Sequence, residues 1–546
     1  MVGSKQHHTL PNVPRPAAYG EPAQVRDLLA RLSLPLAVTS TARSSSDVPA
    51  GDSPQDIQVE AWTGSTKGHL LGMVPALLPR QLGSPAFCRD HGVQYAYMSG
   101  AMAAGIASES IVEEMAGAGM VGIFGAAGLS PERVEQALVR LEQSCAGKPW
   151  GSNLIHSPSE TRLEATVTDL YLRRKVRLVE ASAFLDLTAN IIRYRLAGIH
   201  QRGSEIITPN RVVAKVSRVE VATKFMSPPP AKLVAHLVSI GELTEEQGRL
   251  AAFIPMAQDV TAEADSGGHT DNRPLVALLP SLIALRDRLQ SQYRFPEPVR
   301  VGAAGGIATP QSTAAAYVMG AAYVVAGSVH QACLESGTSD VVRQLLAEAQ
   351  QADCIMAPAA DMFEMGVKLQ VLRRGTMFAM RASKLYELYR TYPSIKAIPE
   401  TDRQQIEKTM FHVPLEQVWR QTVEFFTHRD PRQLERAEKD PKHKMALIFR
   451  WYLGQSSRWA NQGLPERRLD YQIWCGPSMG AFNEWTSGTF LAQPAERKVA
   501  TVAMNLLYGA AYVQRANSLQ WTGFPAHPDW QRVVPQERQT ILDLLQ

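Results

Sequence analysis

Two glycine-bearing stretches carry the strongest chemical signal in the chain. Ala303-Ala304-Gly305-Gly306-Ile307-Ala308-Thr309-Pro310 and Gly320-Ala321-Ala322-Tyr323-Val324-Val325-Ala326-Gly327-Ser328 each read as a short apolar strand opening into glycine, where backbone N–H groups can close on a phosphate. Thr309 and Pro310 suit an N-cap and the first residue of a helix between them. Gly305, Gly306, Gly327 and Ser328 are therefore the candidate phosphate binders. A phosphate site at the last two strands of a βα series is characteristic of a (β/α)8 barrel. Lys215 lies within an apolar run, Arg211 to Val216. Facing inward it would need an anionic or carbonyl partner such as phosphate or a cofactor carbonyl, and the alternative is an outward snorkel along the helices.

Eight β-prone runs are available to position these residues: Tyr95 to Met98, Met120 to Phe124, Gly151 to Ile155, Arg177 to Glu180, Arg211 to Val216, Ala257 to Glu263, Val299 to Ala303 and Tyr323 to Ala326. Helical patterns separate them, so the fold class is α/β, a (β/α)8 TIM barrel over 95–338. The sixth run is weakly β by propensity because of Gln258 and Asp259. Ser110 with Glu113 has capping-box spacing, and Ser130-Pro131 and Ser159 also mark helix starts. Residues 1–50, rich in Pro, Ser and Ala, read as a loosely ordered leader. Residues 51–94 read as a small β-rich N-terminal element, whose stretch from Ile57 to Pro79 is expected to cap the barrel bottom. Residues 339–546 read as a mainly helical domain covering the barrel mouth, with Asp361 to Tyr389 among its helices.

Composition limits the function classes. Of 546 residues, 45% are hydrophobic and 20% charged, as in ordinary folded domains. A net charge of +4 offers no global attraction to nucleic acid. Five cysteines without a C-x-x-C pair suggest neither a disulfide framework nor a zinc site, so no metal is expected and a reducing cytoplasmic setting fits. No signal-like N-terminus and no apolar window of spanning length are present, which argues against secretion and membrane insertion.

The phosphate motifs combine with Tyr97-Met98-Ser99-Gly100-Ala101-Met102-Ala103-Ala104-Gly105 and Asp265-Ser266-Gly267-Gly268-His269. Together they resemble the FMN-dependent barrel enzymes that include nitronate monooxygenases and flavin-type enoyl reductases. Asp361-Met362-Phe363-Glu364-Met365-Gly366-Val367-Lys368 and Tyr471-Gln472-Ile473-Trp474-Cys475-Gly476-Pro477-Ser478-Met479-Gly480-Ala481-Phe482-Asn483-Glu484-Trp485 are similar to the trans-acting enoyl reductases of polyketide and polyunsaturated-fatty-acid synthases.

This resemblance implies FMN as cofactor, reduced transiently by NAD(P)H with NADPH favoured, and reduction of an enoyl thioester on an acyl carrier protein. It places Ser99, Gly100, Ala101 and Met102 against the isoalloxazine and Asn153 facing it. His269 would act beside the cofactor, with Gly267 and Gly268 allowing close approach and Glu263 or Asp265 as weak candidates to orient it. Without a G-x-S-x-G elbow, a stand-alone reductase is expected. The rival readings are a nitronate-type flavin oxidase and a non-catalytic member of a synthase. Arg373, Arg374, Arg381 and Lys384 lie in a basic stretch that is either a solvated helix face or a dock for an acidic carrier. Met356, Met362, Met365, Met377 and Met380 have near-helical spacing and read as core. A homo-oligomer is possible and is not decided by the sequence.

Overall fold

The computed structural model describes residues 22–40, 57–66, 68–156, 161–524 and 527–545. Eight parallel strands close into a barrel. They are β1 (Tyr97–Ser99), β2 (Val121–Phe124), β3 (Trp150–Ile155), β4 (Leu178–Ser182), β5 (Arg211–Val216), β6 (Asp259–Glu263), β7 (Arg300–Ala304) and β8 (Val324–Ala326). Each of the eight runs expected from sequence contributes one strand.

Alternation along each strand sends one residue to the lumen and the next to the helices. The lumen fills in tiers. At its N-terminal end Asp259, fully buried, is 2.8 Å from His91 Nε2, and Arg300 donates to it through Nε at 2.6 Å and Nη2 at 3.0 Å. Burial alone would raise the Asp259 pKa, but His91 and Arg300 hold it down at about 2. This ion cluster explains how an acidic residue starts the weakly β-prone sixth strand. Above it Thr261 and Tyr323 share a hydrogen bond of 2.8 Å, and Phe87 stacks on Tyr323 with centroids 4.5 Å apart. A Cβ on Gly302 would fall 2.4 Å from that tyrosine ring, so β7 needs glycine there. The barrel bottom is closed by the helix Pro85–His91, which carries Phe87 and His91. That corrects the expectation that the N-terminal β element caps it.

The N-terminal sheet has the order Ile57–Ala61, Leu36–Ser40, His69–Val74, with antiparallel pairing. Its central strand and the helix Pro22–Ala30 fall inside the supposed leader. That reading is corrected over 22–40: Leu29, Leu32 and Leu36 are fully buried, and Arg515 donates to the carbonyls of Leu29, Arg31 and Leu34. Residues 1–21 and 41–50 of the leader and the Ser159 helix start lie outside the described residues. The first barrel helix is capped by Ser108 at Ile111 N–H, not by Ser110, which accepts from Arg140.

After β8 only a short helical turn, Ser328–Gln331, follows. The eighth position in the helix ring is filled by Val499–Trp521, which packs on Pro310–Val318 and Glu109–Gly117. Residues between Ser339 and Lys498 are thus an excursion that leaves the ring and returns, so the appended domain does not run unbroken to the C-terminus. It is not wholly helical either. Cys354–Pro358 and Lys368–Leu372 pair antiparallel, and the second also pairs with Gly268–His269 from the loop after β6. The helix expected from Asp361 starts only at Phe378, because Gly366 and Gly375, both at positive φ, bracket a strand instead.

Candidate active site

The C-terminal ends of β7 and β8 neighbour each other, and their loops form a cradle of backbone amides. The N–H groups of Gly305, Gly306, Gly327 and Ser328 donate no hydrogen bond among the described residues. Thr309 caps the helix that follows by accepting from Ser312 N–H, with Pro310 at its first position. The glycines divide by what a side chain would meet. Gly306 (φ +79) and Gly327 face open space, with no atom within 4 Å of an added Cβ. Gly305 (φ +83) instead packs on the β6 loop, its Cβ position 2.6 Å from the Ala264 carbonyl carbon. In that same loop the Ser266 hydroxyl is buried without a partner.

The β6 loop continues into Gly267-Gly268-His269. Gly267 is held small by protein, since a Cβ there would lie 2.8 Å from Cys475 N. That corrects its role as a point of cofactor approach. Gly268 (φ +83) pairs with Gln370, and His269 with Leu369. Gln370 Nε2 donates to Asp265 Oδ1 at 2.9 Å and to the Ser266 carbonyl at 2.8 Å, which fixes the loop.

His269 Nε2 lies 3.1 Å from Asp361 Oδ1. Burial works against the imidazolium, but the hydrogen bond and charge of Asp361, with Glu263 beyond it, outweigh burial and raise the His269 pKa above 6.5. Asp361 shifts the other way: burial opposes its charge, and His269 holds its carboxyl below the ordinary value. The imidazole keeps 37% of its side chain open to solvent. The partner is Asp361, not Asp265, whose carboxylate is engaged by Asn272 and Gln370.

The top tier of the lumen forms the floor below this histidine. Lys215 points inward and is flanked by Glu180 Oε1 at 3.5 Å and Glu263 Oε1 at 3.3 Å. Its charge is therefore met by two carboxylates, which corrects the expectation that a phosphate or flavin carbonyl must satisfy it. Burial raises the pKa of Glu180, Lys215 lowers it and Glu263 adds to the rise, leaving a net increase. Ala101 N–H donates to Glu180 Oε1 at 3.3 Å, so the loop after β1 crosses the top of the floor. Gly100 is needed because a Cβ would sit 2.7 Å from Val325. Asn153 is in register with Glu180 and shares its inward face, with Oδ1 accepting from Ala127 N–H at 3.1 Å. Ser99 is corrected: its fully buried hydroxyl lies 2.9 Å from His330 Nδ1, and Tyr97 OH 3.0 Å from Nε2, on the outer side of β1. Burial depresses the His330 pKa to about 3, so that ring is neutral. Met102 is part-buried against the main core.

Residues 88–387, more than half of the chain, match the family model described as nitronate monooxygenase. The chain belongs to the nitronate monooxygenase family. Residues 392–471 also match the model of the acyl-carrier-protein S-malonyltransferase inserted helical domain. A polyunsaturated fatty acid synthase protein of Thraustochytrium sp. is 44% identical over 483 residues, which is 86% of this chain and 32% of that protein. Polyketide biosynthesis protein PksE of Bacillus subtilis is 42% identical over 428 residues, 78% of this chain and 55% of that one. The chain thus spans about a third and about half of these relatives. The enoyl reductase domain of MlnA, from the macrolactin biosynthesis cluster of Bacillus amyloliquefaciens, is 37% identical with a TM-score of 0.77, covering 81% of this chain and 99% of that domain.

Against that family background, the residues fit an FMN phosphate: the amides of Gly305, Gly306, Gly327 and Ser328 are partnerless among the described residues, and open space lies above Gly306 and Gly327. The Gly476 to Trp485 motif has a bracing role. Gly476 packs on Ser266 and Gly267, Asn483 Nδ2 donates to the carbonyls of Leu346 and Ala349, and Trp485 donates to Val533. Of the four candidate docking cations, Arg381 is corrected, since its side chain is 11% exposed and is committed to Asp470. Arg373 and Arg374 lie on the turn after Leu372, Arg374 beside Asp353, and Lys384 is 3.9 Å from Glu387. The methionine stripe is not core throughout, because Met365 and Met380 are 62% and 61% exposed. Asp361, Gln370 and Glu180 were missed by sequence reasoning. Asp361 did stand in a motif that carries the resemblance, but nothing in the linear order joins it to His269.

Proposed function

We propose that the chain reduces the α,β double bond of an enoyl thioester carried on an acyl carrier protein, using FMN that is reduced by NAD(P)H. The observation that carries this reading is the His269–Asp361 pair beside the β7–β8 amide cradle, in a chain 37% identical to an enoyl reductase domain. Gly305, Gly306, Gly327 and Ser328 would hold the FMN phosphate, and the loop after β1 with the Asn153, Glu180 and Lys215 floor would face the ring. Bound there, FMN supplies a centre that accepts hydride from nicotinamide and passes one to an activated alkene.

The protein's part is to manage charge and protons. Hydride arrival at the β-carbon puts negative charge on the thioester oxygen and leaves the α-carbon needing a proton. Against the effect of burial, Asp361 raises the His269 pKa above its ordinary value, which favours the imidazolium. With its Nε2–H committed to the Asp361 carboxylate, the transferable proton is the one on Nδ1. The same N–H is suited to hydrogen-bond the developing oxyanion. Stopped-flow measurement on His269→Gln tests this role: reduction by NADPH should continue while reoxidation by enoyl thioester slows on the order of 100-fold or more. Unchanged reoxidation would remove His269 from the chemistry.

A further inference from the structure

Outside the mouth, one pair of reactive side chains has no assigned part. Cys354 Sγ and Cys475 Sγ are 3.8 Å apart, and both thiols are free. Cys354 is part-exposed on the strand Cys354–Pro358, whereas Cys475 is completely buried. The two sit on either side of the strand Lys368–Leu372. Cys354 is in register with Leu372, and Cys475 N–H donates to the Gln370 carbonyl at 3.4 Å. The segment bearing Cys475 is also the surface on which Gly267 packs, two residues before His269.

We propose that Cys354 and Cys475 form a dithiol modification site, converted by a hydroperoxide into a disulfide that ties the strand Cys354–Pro358 to the segment supporting the His269 loop. The order of events follows exposure. The Cys354 sulfur attacks the peroxide oxygen and the O–O bond breaks, leaving a sulfenic acid and an alcohol or water. The Cys475 sulfur then attacks the Cys354 sulfur. The S–S bond forms, the S–OH bond breaks, and the Cys475 proton leaves with the hydroxide as water. Two thiols are oxidised and one hydroperoxide is reduced, so no other reactant is needed. Closing the sulfurs from 3.8 Å to the roughly 2.0 Å of a disulfide draws together the two backbones that flank the strand Lys368–Leu372, because a disulfide holds its Cα atoms within about 7 Å. Cross-linking residues 121 positions apart restrains opening of the sheet that holds His269.

The test does not depend on the proposed activity. Fully reduced protein is treated with hydrogen peroxide, alkylated and mapped by mass spectrometry without reduction. A cross-linked Cys354–Cys475 peptide pair, two hydrogen masses lighter than the separate peptides, is expected. It should disappear with dithiothreitol and be absent from Cys354→Ser. In the cross-linked protein, amide hydrogen exchange over 266–270 and 368–372 should slow on the order of tenfold, while peroxide-treated Cys354→Ser stays at the untreated rate. Cys354→Ala serves as the second variant if the serine form folds poorly. Cys475 still alkylatable after Cys354 has been oxidised overturns the site. A complete cross-link with unchanged exchange overturns the link to the His269 loop.

Discussion

Replacing Gly327 with alanine separates ligand binding from folding. Its φ of −126° lies on the side that L-residues adopt, and no atom lies within 4 Å of the new methyl. Folding stability should therefore change by less than about 1 kcal/mol. The methyl would occupy the space in which a phosphate must meet the partnerless amides. Losing one charge-assisted hydrogen bond there costs about 1.5–3 kcal/mol, equivalent to roughly 10- to 150-fold weaker binding. The assay is titration of apoprotein with FMN, followed by flavin fluorescence, with riboflavin in parallel because it lacks the phosphate. FMN affinity should fall and riboflavin affinity should hold. Gly305→Ala is the contrast: its Cβ would sit 2.6 Å from the Ala264 carbonyl carbon at φ +83, so it should lower Tm of the apoprotein. FMN affinity unchanged in Gly327→Ala, or lost equally for riboflavin, would refute the placement of the phosphate.

Further expectations concern charge. His269 has a folded-state pKa above 6.5, so its imidazolium adds stability that is complete below about 6.5 and is lost as pH rises through the folded value. Asp361→Asn should flatten that decline in a Tm-against-pH series and move the alkaline limb of flavin reoxidation to lower pH. Lys215→Met strands Glu180 and Glu263, and breaking such a buried set costs on the order of 3–5 kcal/mol; urea melts should show this, with partial recovery in the double variant with Glu180→Gln. Asp259 is held at about 2 against an ordinary 3.8, so its contribution, about 2 kcal/mol, is present above 3.8 and lost as pH falls toward 2. Acid melts of Asp259→Asn should lack that component.

The barrel was legible because most strands announce themselves locally as short β-prone runs, separated by helix starts such as Ser130-Pro131, which caps as expected; the sixth, weakly β-prone, was placed by the helical stretches on either side of it. The loops proposed to hold phosphate were legible as local sequence for the same reason, with Gly305 and Gly306 close to Thr309-Pro310. What escaped was long-range. Nothing near Lys215 reveals that Glu180 and Glu263 converge on it from neighbouring strands. The pairing of Gly268–His269 with Lys368–Leu372 depends on a chain excursion that only the folded molecule brings back. Glycines also read alike in sequence, yet Gly306 borders open space while Gly267 and Gly305 are small because backbone presses on them. The missed ring helix has a physical cause too: Val499–Trp521 is apolar almost all round because it is buried between two barrel helices, so the sequence shows a helix without showing where it belongs.

Reoxidation of the reduced flavin, with oxygen excluded from the thioester arm, tests the central claim most directly. Protein loaded with FMN and bleached by NADPH is mixed, in separate syringes, with an enoyl thioester on acyl carrier protein and with a nitronate plus oxygen. The account predicts return of the flavin absorbance with stoichiometric saturated thioester in the first. Recovery only in the second, or retention of no FMN by the protein, would contradict it.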